Sequence, residues 1–172
     1  MKRALIVVDM LNDFVREGGA LEVGPAARDI VPAVRERIEQ CRREGGVVIF
    51  VADHHAPDDP EFKMWPPHCV AGTEGAEVIA ELDRKASDYF VAKTRYSALY
   101  GTDLEEILRE EQIGEVELVG VCASICVMHT AADLRNRDIP VTVRRDAVAD
   151  LDEESCGFAL KHMDTVLGVN VV

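Results

Sequence analysis

The chain has 172 residues, 48% apolar and 5% aromatic, with a formal net charge of −13 at pH 7. That length suits one ordinary domain over residues 1–172, and the apolar fraction supports a packed core, which argues against disorder. The acidity sets the chain against phosphate backbones and anionic membranes, so neither nucleic acid nor membrane is expected as a partner.

Met1-Lys2-Arg3 precedes an apolar run, Ala4 to Val8, that resembles the start of a secretory signal. Asp9 and Asp13 cut the run short, so it reads as a first core strand over 4–8. A helix is expected over 27–44, with Gly45-Gly46 placed to end it. Strand 47–52 comes next, and then a long loop over 53–73, rich in Pro, His and Asp. Helix 74–84, strand 89–92 and helix 102–112 follow. Thr102-Asp103-Leu104-Glu105 has the capping-box pattern for the start of that last helix, and Gly114 is placed to end it. Strand 116–121, helix 124–137, strand 141–144, helix 152–163 and strand 169–172 complete the order.

Several of these strands are apolar without alternation, the mark of strands buried on both faces of a parallel sheet. The strand–helix rhythm predicts an α/β doubly wound, Rossmann-like three-layer sandwich with a central, mainly parallel six-stranded sheet. No apolar stretch approaches the roughly 20 residues that span a bilayer. The five cysteines (41, 69, 122, 126 and 156) form no CxxC pair, which suits free thiols and a cytoplasmic location.

Polar residues fall just beyond the strands. Asp9 follows the first, Asp53 and His55 the second, Lys93 the third, and Cys126 lies five residues after Val121. In a doubly wound sheet all of them project toward one rim, where such folds place their sites. Cys126 opens a helix, where unpaired N–H groups and the dipole favour thiolate and could hold an oxyanion. Asp9 and Lys93 add a proton-transfer carboxylate and a cation, the roles that cysteine-based acyl transfer needs filled. Each has a plainer reading: Cys126 as a small buried hydrophobe, Asp9 as a turn cap, Lys93 as a surface charge. In the 53–73 loop, Asp53, His55, Glu61 and His68 are ligand types suited to Zn²⁺, Fe²⁺ or Mn²⁺. Chance histidines on a polar loop are the alternative. His54 points away from His55 if the backbone there is extended.

The anchors Asp9 to Phe14, Asp53-His54-His55, Trp65 to Glu77, Lys93 to Ser97 and Gly120 to Val127, in that order and spacing, resemble the isochorismatase-like cysteine hydrolases, within them the nicotinamidase/pyrazinamidase branch. The resemblance covers essentially the whole chain. It implies a catalytic triad of Asp9, Lys93 and Cys126, and an oxyanion hole at Cys122 and Cys126 beside a cis peptide between Val121 and Cys122. It implies one divalent metal, Zn²⁺ first and Fe²⁺ or Mn²⁺ as alternatives, on Asp53, His55 and His68, with Glu61 as an additional ligand. Phe14, Trp65 and Tyr96 would sandwich the ring of a small heteroaromatic amide, nicotinamide or pyrazinamide, in NAD salvage. A homo-oligomer is also implied. Leu11, Cys122, Ala123 and Ser124 depart from the family's usual residues. The alternatives are a metal-independent amidohydrolase of another small amide, and a non-catalytic ligand-binding or thiol-redox module.

Overall fold

A computed structural model describes residues 2–172. Six strands form the sheet: β1 (Lys2–Val8), β2 (Val47–Asp53), β3 (Tyr89–Lys93), β4 (Ile113–Val121), β5 (Val141–Ala149) and β6 (Asn170–Val171). Their order is β3-β2-β1-β4-β5-β6, and every neighbouring pair is parallel. The expected α/β doubly wound architecture is present, with the sheet parallel throughout.

Alternation along the buried strands feeds two cores. Ala4, Ile6 and Val8 of β1 join one apolar cluster, while Leu5 and Val7 join the other. The first is closed by α4 (Leu104–Glu110), α5 (Met128–Arg135) and α6 (Glu153–Thr165) through Leu108, Leu134 and Met163. The second is closed by α1 (Asn12–Val15), α2 (Pro25–Asp29) and α3 (Val31–Arg43), with Val34, Ile38 and Cys41 facing inward from α3. Burial on both faces is why these strands read as unbroken apolar runs. Among the described residues no helix is long and apolar enough to cross a membrane.

The helix expected over 27–44 is two helices meeting at Ile30. Pro32 explains the break: it lacks an N–H, and its ring would clash with the carbonyl four residues back. The stop at Gly45 holds. Gly45 sits at φ 73°, and N–H groups of Gly45 and Gly46 close onto the carbonyls of Arg42 and Cys41 in a Schellman motif.

The helix expected over 74–84 is absent. Two short 3₁₀ turns, Glu74–Ala76 and Ala80–Leu82, flank a segment whose backbone pairs instead with residues 10–12. Asn12 N–H reaches Glu77 O, and Ile79 N–H reaches Met10 O, both at 3.0 Å. Tertiary pairing has overridden local propensity. The capping box also fails. Asp103 is the N-cap of α4, and Thr102 Oγ1 accepts from Leu104 N–H at 3.2 Å while donating to Ala98 O. Gly114 lies inside β4, and Gln112 at φ 55° takes the left-handed turn assigned to it.

Candidate active site

The sheet reverses its winding between β1 and β4, and ligands in open α/β sheets bind outside the carboxyl ends of strands at such a point. Asp9 leaves β1 there, and the turn bearing Cys126 leaves β4. Gly120 lets the two strands close: it has φ 112°, and a Cβ on it would fall 2.0 Å from Val8 O. Asp53 and Lys93 end the neighbouring strands and are register partners.

These side chains converge on one ammonium. Lys93 Nζ lies 2.5 Å from Asp53 Oδ1, 2.8 Å from Asp9 Oδ2 and 3.4 Å from Cys126 Sγ, and all four residues are buried. Asp9 Oδ1 also accepts the Asp53 backbone N–H at 2.9 Å. Burial pushes the Lys93 pKa down, but the two carboxylates outweigh it and hold the group charged. Burial and the neighbouring Asp53 raise Asp9 to about 6, against the pull of Lys93. Burial also pushes the Asp53 carboxyl up, and Lys93 with the two histidines overcomes this, holding it well below the usual carboxylate range.

At Cys126, where the helix N-terminus was expected to favour thiolate, burial acts in the other direction. Burial raises its pKa well above the ordinary thiol value, Lys93 offsets only part of that, and Asp9 and Asp53 add to the rise. Asp9, a carboxylate with a raised pKa, stands beside this sulfur, placed to exchange a proton with it during reaction.

The segment carrying Cys126 begins with a cis peptide between Val121 and Cys122. Ala123–Val127 then forms a π-type turn, with Val127 N–H reaching Cys122 O at 3.2 Å, before α5 continues. Such turns are wound more loosely than an α-helix and recur at functional sites. Asp150, buried at the end of β5, caps it: Oδ2 accepts from Ser124 N–H at 2.5 Å, and Oδ1 from Leu151 N–H at 2.8 Å. Nothing in the sequence marked Asp150, because it lies 26 residues from the turn it caps. All five cysteines are free thiols.

On the far side of Asp53, donor atoms of Asp53, His55 and His68 all lie within 4.8 Å of one another. Asp53 Oδ2 is 3.7 Å from His55 Nε2 and 3.8 Å from His68 Nε2. Glu61 Oε1 stands 3.9 Å from His55 Nε2. The donor set fits a divalent cation on an observation of its own: His55 Nε2 is buried without a hydrogen-bond partner. His68 Nδ1 faces the Pro66 carbonyl at 2.7 Å, an acceptor only, so Nδ1–H points there and Nε2 is the nitrogen turned toward Asp53. Burial pushes the His55 imidazole pKa down, and its contacts with Asp53 and Asp59 push it up. Asp9, Asp53 and Cys126 form a second close cluster, but Lys93 already supplies its cation.

Sequence reasoning missed two neighbours of this group, Asp59 and Arg95. Asp59 Oδ2 lies 3.0 Å from His55 Nδ1, and Arg95 Nη1 reaches both Asp59 oxygens at 3.1 and 3.2 Å. The i,i+4 spacing of His55 and Asp59 was the available signal, obscured by a loop rich in Asp. Phe62 was missed too; its ring centroid is 5.3 Å from that of His55 and 5.6 Å from that of His68.

Both groups open on one shared cavity at the carboxyl ends of the strands. Asp9, Phe14, Asp53, Glu61, Trp65, His68, Tyr96, Cys122 and Cys126 line it, while Lys93 and His55 stand behind the wall. Trp65 Nε1 donates to Tyr96 Oη at 3.2 Å, locking those two rings together. Leu21, Val23, Ile125 and Leu151 complete an apolar wall that the sequence reading did not name. Among the described residues, no Lys or Arg lines the cavity.

Residues 3–171 match the family model described as the isochorismatase domain. The crystal structure of a nicotinamidase/pyrazinamidase from Bacillus subtilis is similar at 40% identity and a TM-score of 0.94, over 100% of each chain. An N-carbamoylsarcosine amidase from Thermoplasma acidophilum is 43% identical, with a TM-score of 0.91 over 99% of this chain and 95% of that one. A pyrazinamidase of Pyrococcus horikoshii, solved in complex with zinc, is 35% identical, with a TM-score of 0.93 over 100% and 99%. With these sequence, fold and site features together, the chain belongs to the isochorismatase family, as an amidohydrolase acting on amide C–N bonds.

Proposed function

We propose that this protein is a metal-dependent nicotinamidase that hydrolyses nicotinamide, and pyrazinamide in the same way, to the acid and ammonia. The observation that carries the reading is the division of one carboxylate. Asp53 gives Oδ1 to Lys93 beside the Cys126 thiol, and turns Oδ2 toward His55 and His68. A thiol chemistry and a cation site are thereby built back to back on one shared cavity.

In this reading Asp9 takes the Cys126 proton as sulfur attacks the carboxamide carbon, and the Lys93 ammonium stabilises the developing thiolate. The N–H groups of Cys122 and Cys126 face the oxyanion, where removing one such donor typically costs about 10²–10³ in rate. Asp9 then protonates the departing amine, and ammonia leaves a Cys126 thioester. Freed of that proton, Asp9 activates the water that releases the acid. Phe14, Trp65 and Tyr96 bury the ring. A divalent ion held by Asp53, His55 and His68, with Glu61 at hand, would supply a Lewis-acidic contact for the ring nitrogen. Zn²⁺ is the first choice and Fe²⁺ or Mn²⁺ are alternatives, since these donors accept all three.

Similarity to the N-carbamoylsarcosine amidase supports a second reading, hydrolysis of a carboxylate-bearing carbamoyl amine. The cavity argues against it. Among the described residues its charged lining is Asp9, Asp53 and Glu61, and no Lys or Arg side chain stands there to pair with a substrate carboxylate. Nicotinamide, benzamide and N-carbamoylsarcosine therefore separate the readings. Nicotinamide should be hydrolysed with the highest kcat/KM, and benzamide, lacking the ring nitrogen, should lose most of it. Preference for N-carbamoylsarcosine would overturn the proposal in favour of the second reading.

A further inference from the structure

We infer that Asp59 is a positioning residue for the proposed metal centre, fixing both His55 and Glu61 and itself anchored by Arg95. The inference rests on the metal reading of that site.

Asp59 is buried, at 8% exposure, and its two oxygens have different tasks. Oδ2 meets His55 Nδ1 at 3.0 Å. An ionised carboxylate can only accept, so Nδ1–H faces it, and in the neutral imidazole Nε2 is the nitrogen that presents a lone pair. That Nε2 is the buried, unpartnered atom facing Asp53 Oδ2 at 3.7 Å and Glu61 Oε1 at 3.9 Å. Oδ1 accepts the Glu61 backbone N–H at 2.9 Å, capping the short turn Pro60–Lys63 that carries Glu61 toward the same space. Arg95 Nη1 spans both oxygens and also donates to the Thr94 carbonyl. A histidine ligand commonly gives its second nitrogen to a carboxylate, which sets the tautomer and ring plane, and losing that partner typically weakens metal binding about 10- to 100-fold. His68 has the weaker version of this arrangement, a backbone carbonyl at Pro66.

A plainer role would be the turn cap alone. Asp59→Ser separates the two, because serine caps helical turns well but is too short to reach the imidazole. Asp59→Asn is isosteric and keeps one oxygen for the His55 N–H. Wild type and both variants, stripped of metal, are titrated with Zn²⁺ against a chromogenic chelator, and the His55 tautomer is read in the metal-free proteins by ¹⁵N NMR at a pH where the imidazole is neutral. D59S should bind Zn²⁺ about 10- to 100-fold more weakly, D59N should lose less, and the single Nδ1–H tautomer of wild type should become a mixture in D59S. D59S with wild-type affinity and tautomer would overturn the inference. Should D59S fail to fold, D59N decides alone on affinity, and Zn²⁺ binding equal to wild type overturns it. Wild type that takes up no Zn²⁺ is a distinct outcome, and would overturn the metal reading beneath it.

Discussion

Cys126→Ala is expected to lower kcat/KM on nicotinamide by about 10⁴- to 10⁶-fold, the scale seen when a nucleophile is removed from a triad. The substitution takes one sulfur from a buried site and leaves Lys93 its two carboxylates, at 2.5 Å from Asp53 and 2.8 Å from Asp9. Fold and Zn²⁺ stoichiometry should therefore match wild type, as circular dichroism and metal analysis can check. Turnover near wild type would remove Cys126 from the nucleophile role. Equal loss of metal would mean that the variant had disturbed the whole rim.

Lys93→Met should be the most destabilising single change at the site. Removing one partner from a buried ion pair typically costs about 3–5 kcal/mol, because the charge left behind has no compensation. Here two carboxylates, Asp9 and Asp53, lose the same ammonium. The cost should depend on pH in a defined direction. In wild type Asp9 is already raised from an ordinary 3.8 to about 6, so the folded state binds its proton more tightly than the unfolded state does. That lowers stability as pH rises from about 4 to about 6. Without Lys93 the window extends upward, so the variant should be least stable at alkaline pH and recover on acidification. Denaturant unfolding across pH measures this; a flat difference from wild type would contradict the burial-and-pairing account. Because Lys93 lowers the Cys126 thiol pKa, the iodoacetamide alkylation profile should also move to higher pH in the variant.

The fold was legible wherever burial speaks through pattern. The unbroken apolar runs marked strands β1, β2 and β4, and their alternation with helices fixed the layer order. Legibility failed where distant backbone decides local structure. Residues 74–84 have the composition of a helix, but Asn12 and Met10 claim their backbone groups, and no local signal encodes that pairing. At the site, residues at strand ends were visible because topology sends them to one rim: Asp9, Asp53, Lys93 and Cys126 meet there. His55 and His68 were readable as ligand types in the 53–73 loop, while Phe14, Trp65 and Tyr96 needed the resemblance to gain roles, since nothing in their spacing says which side chains turn inward. Asp59, Arg95 and Asp150 stayed hidden for a shared reason. Each acts on the residue it holds, so its meaning exists only in the contact. The thiol's surroundings were hidden too. The helix N-terminus suggested thiolate, and the structure adds burial and two carboxylates that push the Cys126 pKa up against Lys93.

The central claim is that one cavity couples a cysteine nucleophile to a metal-held heteroaromatic amide. Ammonia release from nicotinamide tests it most directly, measured as purified, after chelation with metal removal verified by elemental analysis, and after adding back Zn²⁺, Fe²⁺ or Mn²⁺. The account predicts activity that is lost with the metal and restored by at least one of these ions. Full activity in the verified metal-free protein would contradict it, leaving Cys126 its chemistry and Asp53, His55 and His68 without their proposed role.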